Sequence, residues 1–412
     1  MKDTEFYQHL LGFRAPWFVR RVELDAQAGR VDVYIEHASG ARFACPKCGE
    51  LRAVYDHTAE RVWQHLDTCQ YPTFLHVRLP RVSCPADGIS QVSAPWAEGS
   101  SPFTLLFEGR VIDVLRVCDV QAAAALAGLT WDRVWAVIER AVSRGLSRKP
   151  HRLPSRIGVD EKSFAKRHRY ETLVYDLDRG TVEHVTPGRS EESLAGYFRR
   201  FAPAELEQLS SVVMDMWEPY IQATRKAVPG ADGKIVFDRY HIMAHLNGAV
   251  DRVRRKEHKE LRERGVDFLK GTRFLWLWNE ENVPKERLFE FEYLRRLDLK
   301  VARAHAMKET LRSLWAYRTL GWAKRFFAHW YFWATHSRLS PMIEAARMLK
   351  RHLAGVLGYI RHRVTNALAE GINSKIETIK KMACGFRNRE HFRTAILFHC
   401  GGLDLYPKAH HA

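Results

Sequence analysis

Three short apolar runs in this chain each close on an aspartate, and that recurrence is the first sign of chemistry. Ile157-Gly-Val-Asp160 reads as a buried strand that presents Asp160, Ser211-Val-Val-Met-Asp215 repeats the pattern, and Lys234-Ile-Val-Phe-Asp238 repeats it again. A carboxylate beside a buried strand is costly unless something pairs with it, and the usual partner is a metal ion. The competing reading is that each aspartate caps the helix that follows it. A fourth acid comes late, in Thr365-Asn366-Ala-Leu-Ala-Glu370-Gly-Ile-Asn373. Glu370 and Asn373 stand at i and i+3 and share a helix face, while Leu368, Ile372, Ile376 and Ile379 form a stripe able to pack on a sheet. With Asp160 and Asp215, Glu370 completes a candidate triad of carboxylates.

The elements that must position these acids follow from the pattern. Residues 157–164, 169–177 and 181–186 read as three consecutive strands, the first two joined by a basic turn over 165–168. A helix over 191–201, the Asp215 strand, a helix over 219–227 and the Asp238 strand come next. This β-β-β-α-β-α-β order, with acids at the ends of the first and fourth strands, is that of a ribonuclease-H-like fold. From about 244 to 354 the chain is helical, basic and rich in tryptophan, which suggests helices packed around large rings with cationic outer faces. This block reads as a helical insertion.

Upstream, the chain opens with an amphipathic stretch over 6–11 and a strand over 31–36. Cys45-Pro-Lys-Cys48-Gly49 then places two thiols in a tight turn suited to one tetrahedral metal ion, and Cys84-Pro-Ala-Asp87-Gly88 has the same shape with aspartate in the fourth position. His57, His65, Cys69 and His76 lie between the two knuckles, so another residue can stand in as the fourth ligand; a metal-free remnant is the alternative. Helices follow over 104–117, 120–127 and 131–146, with the turn Gly128-Leu129-Thr130 before the third and Thr130 as its N-cap. Small residues at 122–125 and a short glycine-containing turn are the helix-turn-helix signature. Thr130 and Arg133 open the third helix, and Arg144, Arg148, Lys149 and Arg152 form a basic run able to sit near phosphates. A plain helical linker is the other reading of this block.

The 412 residues suggest two to four domains. The 65 Lys and Arg against 48 Asp and Glu leave a formal net charge of +17, which points to a polyanionic partner such as nucleic acid, with a membrane surface as the competing reading. No apolar run of about 18 residues and no signal-peptide pattern is found, so a soluble intracellular protein with no membrane partner is expected, cytoplasmic and associated with the nucleoid. Seven scattered cysteines argue against a disulfide framework.

Taken in order, the Cys-x-x-Cys knuckle with its Cys-Pro-x-x-Gly partner, the helix-turn-helix, Gly158-Val-Asp-Glu161, Met214-Asp-Met-Trp217, Asp238-Arg-Tyr-His241, Lys270-Gly-Thr-Arg273, and Glu370-Gly-Ile-Asn-Ser-Lys375 with Gly385-Phe-Arg387 give a specific combination. The chain resembles, over nearly its whole length, bacterial insertion-sequence transposases of the DDE type and within them the ISL-three family. The resemblance implies a catalytic triad of Asp160, Asp215 and Glu370 holding two divalent ions, Mg²⁺ or Mn²⁺, with Asp238, His241 and Asn373 supporting it. It also implies Zn²⁺ on Cys45, Cys48, Cys84 and Asp87, although relatives often carry His where this chain has Asp87. The implied activity is cleavage at the ends of an insertion sequence and joining of the 3′-hydroxyl to target DNA, with double-stranded DNA and further copies of the chain as partners. A DNA-binding regulator on an inert catalytic scaffold, or a plain nuclease, is the alternative.

The expected fold class is thus an α/β ribonuclease-H-like core with a large helical insertion, preceded by a small zinc-ribbon-like domain and an all-α helix-turn-helix domain. The expected division is 1–100 for the zinc-ribbon region, 101–150 for the helix-turn-helix, 151–250 and 355–412 for the two parts of the core, and 251–354 for the insertion.

Overall fold

In the computed structural model, which describes residues 2–165 and 169–408, two compact units emerge. The first holds Met1–Pro150, Lys381–Gly385 and Leu397–Ala412, and the second His151–Lys380 and Phe386–Ile396. Residues 166–168 of the expected basic turn lie outside the described residues.

The first unit is richer in strands than the sequence suggests. After helix α1 (Asp3–Leu10) come β1 (Trp17–Asp25), β2 (Arg30–His37), β3 (Arg42–Ala44), β4 (Leu51–His57), β5 (Arg61–Thr68), β6 (Tyr71–Val77), β7 (Pro80–Cys84) and β8 (Gly88–Gln91). They build two four-stranded sheets, ordered β1-β2-β6-β5 and β3-β4-β7-β8. Alternation explains the first: Val31, Val33 and Ile35 of β2 are buried on one face against Trp63 and Leu75. The second is thin, β4 alternating between exposed and half-buried positions, and the two cysteine knuckles lie at the ends of its β3–β4 and β7–β8 hairpins.

Three helices complete this unit: α2 (Leu105–Leu115), α3 (Val120–Ala127) and α4 (Trp131–Arg148). Thr104 caps α2, Asp119 caps α3 by accepting from the Ala122 N–H, and Gly128 stops α3 in the left-handed region at φ 61°. The Thr130 hydroxyl then accepts from the Arg133 N–H at 3.4 Å to start α4, as its sequence position suggests. Along α4, Val134, Val137, Ile138, Ala141 and Val142 are buried.

The chain returns to this unit at its C-terminal end. A Cβ on Gly145 would sit 2.6 Å from Leu403 Cβ, so α4 accepts this tail only because position 145 lacks a side chain. The Tyr406 hydroxyl donates to Asp113 Oδ1 at 2.6 Å, and the Arg144 guanidinium donates to the Leu405 carbonyl at 2.5 Å.

The second unit carries one five-stranded sheet, ordered β11-β10-β9-β12-β13, from β9 (Arg156–Ala165), β10 (Arg169–Asp176), β11 (Thr181–Pro187), β12 (Ser211–Met214) and β13 (Ile235–Phe237). The first three are antiparallel, and β12 and β13 run parallel to β9. Helices Glu191–Phe198 and Glu218–Ala227 fall where the periodicity puts them. Asp160 is not at a strand end, because β9 continues to Ala165 in antiparallel pairing with β10; what stops near Asp160 is its other neighbour, β12.

Between β13 and the late helix Ala367–Met382 lie helices including Arg239–Glu263, Lys285–Arg296, Lys300–Arg312, Leu320–Thr335 and Ser340–Arg351. Trp276, Trp315 and Trp330 are in their core, together with the Lys308 ammonium, which is fully buried and donates to the carbonyls of Trp276, Leu277 and Trp278. Those three oxygens end the short helix Arg273–Leu277, so the lysine neutralises a helix C-terminus from inside. Trp322 and Trp333 face outward instead.

Removal of residues 402–412 is expected to leave the Arg144 side chain short of an acceptor and to uncover the Gly145 face of α4. Thermal unfolding and limited proteolysis of the full chain and the truncated chain test this. The first unit should melt several degrees lower and be cut within α2–α4, whereas Tyr406→Phe, which loses only the hydroxyl's bonds to Asp113 and Arg116, should cost about 1–2 kcal/mol. Identical melting of the truncated chain would show that the tail is dispensable.

Candidate functional site

The register of the second unit's sheet brings the aspartates into one row. Val213 pairs with Gly158 and Met214 pairs with Phe237, so the next positions put Asp215 between Asp160 and Asp238. Side chains from two helices then hold them. Asn373 Nδ2 donates to Asp160 Oδ2 at 2.6 Å, and the buried Tyr175 hydroxyl donates to Asn373 Oδ1 at 2.8 Å, fixing that amide. The Glu161 backbone N–H donates to Asp160 Oδ1 at 2.8 Å. His241 Nδ1 lies 2.9 Å from Asp215 Oδ2. The i, i+3 spacing suggests a His241 bond to Asp238, but the imidazole reaches across to Asp215.

Asp238 does what the capping alternative expects of it. Its side chain accepts from the Tyr240 N–H at 2.9 Å and so starts helix Arg239–Glu263, while its other oxygen accepts from Asn366 Nδ2 at 3.2 Å.

The electrostatics of the row are those of crowded acids. Burial pushes the Asp160 carboxyl above its usual pKa and Asp215 adds to this, while the Glu161 N–H, Asn373 and His241 work against it. Burial lowers His241, but Asp215, then Asp238 and Asp160, outweigh it and hold the imidazole above its ordinary value. Glu161, which sequence reasoning quoted in a motif without a role, is pushed up to about 7 by burial, Asp160 and Asp215. Arg189, 3.7 Å away, and His241 act against this, and the Arg189 guanidinium lies over the rings of Tyr170 and Trp217. The signal for Glu161 was its adjacency to Asp160; Arg189 had none, since only folding brings its loop here.

Glu370 is exposed and belongs to a neighbouring cavity of about 230 Å³, also lined by Asp238, Tyr240, Tyr359 and Asn366. Among the described residues, Asp160, Asp215 and Glu370 do not form a group whose ligand atoms all lie within 4.8 Å of one another. The buried face of the Ala367–Met382 helix is Ala369, Asn373, Ile376 and Ile379; Leu368, expected in the packing stripe, is exposed. The face is rotated because Asn373 points inward to Asp160 and Tyr175. The same helix continues along β9, with Glu377 3.6 Å from Lys162 and Lys380 Nζ donating to the Ser163 carbonyl at 2.7 Å. Asp160 and Asp215 offer hard oxygen donors that repel one another, a donor set that fits a divalent cation.

The two cysteine knuckles do converge. Cys45, Cys48, Cys84 and Asp87 are the group among the described residues whose ligand atoms all lie within 4.8 Å of one another. Cys48 Sγ is 3.6 Å from Cys84 Sγ, and Asp87 Oδ2 is 3.7 Å from Cys45 Sγ and 3.5 Å from Cys84 Sγ. A tetrahedral zinc ion with ordinary bond lengths would set thiolates about 3.8 Å apart and a thiolate and a carboxylate oxygen about 3.5 Å apart. The residues present therefore fit zinc. Backbone N–H groups of Cys48 and Lys47 lower the Cys45 thiol, favouring the thiolate. The other candidates for a fourth ligand are elsewhere: His65 bonds Thr104, His76 sits between Asp32 and Glu60, His57 stacks on His37, and Cys69 is in an exposed turn.

The basic run of the helix-turn-helix is largely committed to its own chain. Arg144 is buried, bonded to Glu98 at 2.6 Å and to Glu108 at 2.5 Å, because the buried Glu108 carboxylate requires a counter-charge. It is not available to a phosphate. Arg148 donates to the Tyr406 carbonyl at 2.6 Å and pairs with Asp404, Lys149 Nζ donates to the Gly401 carbonyl, and Arg152 pairs with Asp176. Arg133 is exposed in the first turn of α4, its guanidinium 4.8 Å above the Phe103 ring.

Comparison with known proteins adds three family matches in one order. Residues 41–87 match the zinc-finger of transposase IS204/IS1001/IS1096/IS1165, residues 92–142 the helix-turn-helix domain of transposase family ISL3, and residues 157–396 the DDE-type transposase domain of ISL3. The chain is 29% identical over 399 residues to the transposase for insertion sequence element IS1001 of Bordetella parapertussis, covering 95% of this chain and 97% of that one. It is 26% identical over 446 residues to the transposase for insertion sequence element IS1557 of Mycobacterium tuberculosis, covering 100% of this chain and 98% of that one.

Elemental analysis of the purified protein should find about one zinc per chain. Asp87→Ala should release zinc to a chelator about 10–100-fold faster, and Asp87→Cys should slow the release, since a fourth thiolate suits zinc better than a carboxylate. Equal zinc retention in Asp87→Ala would take Asp87 out of the ligand set.

Proposed function

We propose, from the premise that this chain belongs to the ISL3 family of DDE transposases, that it cuts phosphodiester bonds at the ends of its insertion sequence and joins the freed 3′-hydroxyl to target DNA. The observation that carries the proposal is the Asp160–Asp215 pair, set side by side by the β9–β12 register and steadied by Asn373 and His241. The strand order, three antiparallel then two parallel, supports reading the second unit as a ribonuclease-H-like core interrupted by the insertion at 251–354. The zinc-ribbon and helix-turn-helix regions, residues 41–150, are the part that binds the element's ends in this reading. Thr130 and Arg133, exposed where α4 begins, are its DNA-facing residues.

Asp160, Asp215 and Glu370 are the carboxylates of the reaction in this reading. Divalent ions, Mg²⁺ or Mn²⁺, when bound there supply activation of the attacking oxygen and charge neutralisation at the leaving one. The residues of the chain have the positioning work. Tyr175 locks the Asn373 amide, and Asn373 locks one oxygen of Asp160. His241 holds one oxygen of the Asp215 carboxylate. Phosphoryl transfer depends on such placement and on charge stabilisation more than on covalent help, so no serine or cysteine nucleophile is called for.

Cleavage of labelled duplex DNA carrying the element's flanking inverted repeats, with Mg²⁺, tests the reading. Asp160→Asn, Asp215→Asn and Glu370→Gln should each abolish cutting while end binding in a gel shift stays nearly intact, since each removes charge without changing size. Substantial cutting by any of the three removes that residue from the site. Asn373→Ala, which frees Asp160 to rotate, should slow cleavage by roughly 10–100-fold and leave its dependence on Mg²⁺ in place.

A further inference from the structure

The helix Leu320–Thr335 of the insertion shows a face that its own fold does not use. Its inward residues Ala323, Phe327, Trp330 and Ala334 are buried. On the outward side, Trp322 is 60% exposed, Phe332 64% and Trp333 40%. Together with Arg325, His329 and His336 these residues recur at helical spacing from Trp322 to His336, a stripe of roughly 21 Å. The Arg325 guanidinium lies 5.1 Å from the centre of the Trp322 ring, and Phe332 stacks on His336 at 4.0 Å. Large rings left in water are unfavourable unless a partner covers them.

Charge decides what kind of partner. The helix contains no aspartate or glutamate, and among the described residues neither Lys324 nor Arg325 pairs with an acid. Some cations elsewhere in the insertion are answered, Arg295 by Glu280 and Glu292 and Arg312 by Glu281 and Glu309. A second copy of the same face would bring like charges together with nothing to compensate them. An anionic partner with flat apolar groups satisfies both features. Duplex DNA offers the phosphates but keeps its base faces stacked internally, whereas a single strand offers both.

We infer that the outward face of helix Leu320–Thr335 binds unpaired DNA, bases stacking on Trp322, Phe332 and Trp333 and phosphates meeting Lys324 and Arg325. The inference rests on the transposase reading only in taking DNA as the polymer that this chain handles. Because stacking is available to every base, the face would hold a strand without selecting sequence, which suits a segment left unpaired near a cut.

The test uses the full-length protein and two fluorescein-labelled probes of about 16 nucleotides, an oligodeoxythymidylate and an abasic strand of the same length. The thymidylate should bind more tightly than the abasic strand, and Trp322→Ala with Phe332→Ala should weaken it by about ten- to a hundredfold while binding to element-end duplex changes less than about twofold. The conservative pair Trp322→Phe with Phe332→Tyr should restore affinity, and Arg325→Gln should reduce the salt dependence by about one strand phosphate. Equal affinity for the two probes, or an alanine pair that binds thymidylate like the parent, overturns the inference. So does a change in oligomeric state by light scattering with thymidylate binding unmoved, which would make the face a contact between copies. Asp160→Asn should bind the single strand normally, so loss of cleavage chemistry and loss of this surface are read apart.

Discussion

Two half-buried carboxylates of like charge, one on the central strand β9 and one just past its neighbour β12, are the constraint around which the second unit is built. Parallel pairing of β9 and β12 up to Val213 and Gly158 brings Asp160 and Asp215 to neighbouring positions, and burial makes their repulsion worse. The surrounding groups are best understood as answers to that cost. Asn373, anchored by Tyr175, the Glu161 N–H and the His241 imidazole each supply a donor to one oxygen, yet Asp160 still titrates above its usual range. Arrangements of this kind are where a bound cation gains most, because it replaces repulsion by attraction at a site already shaped.

The first unit solves a different problem, that of small layers with little core. Its thin second sheet cannot bury enough apolar surface to order its two hairpins alone, and the convergence of three thiols and a carboxylate gives them a common anchor. The helix-turn-helix is held by a charged network instead. Glu108 is buried, so Arg140 and Arg144 must answer it, and Arg144 in turn donates to the Leu405 carbonyl. That network withdraws part of the basic run from solvent and leaves the first turn of α4, with Arg133, as the exposed basic end of the helix.

In the helical block between β13 and helix Ala367–Met382 the same residue types serve opposite ends. Trp276, Trp315 and Trp330 fill its interior around a buried lysine, whereas Trp322 and Trp333, similar in sequence context, stand in water. Helical phase alone separates Trp330 from Trp322 and Trp333: 323, 327, 330 and 334 make one seam of helix Leu320–Thr335, and 322, 325, 329 and 333 fall on the other side.

The sequence by itself determined the order of modules, the strands of the second unit and its first two helices to within a few residues, the helical character of the block after them, the three acids at 160, 215 and 238, and the helix cap at Thr130, with a cap at Asp238 only as an alternative. It did so because period, capping residues and turn glycines are local properties of the chain. Most strands of the first unit were not legible, since short strands such as β4 and β8 carry only weak alternation. What only the tertiary structure decided is pairing across distance. It chose Asp87 over four nearby histidines and cysteines as the companion of the three thiols, and it sent His241 to Asp215 instead of Asp238. It turned Asn373 to Asp160 and left Glu370 exposed, and it folded residues 401–406 onto Arg144 and Arg148. Each of these contacts joins residues from separate elements, and a one-dimensional pattern carries no distance between them.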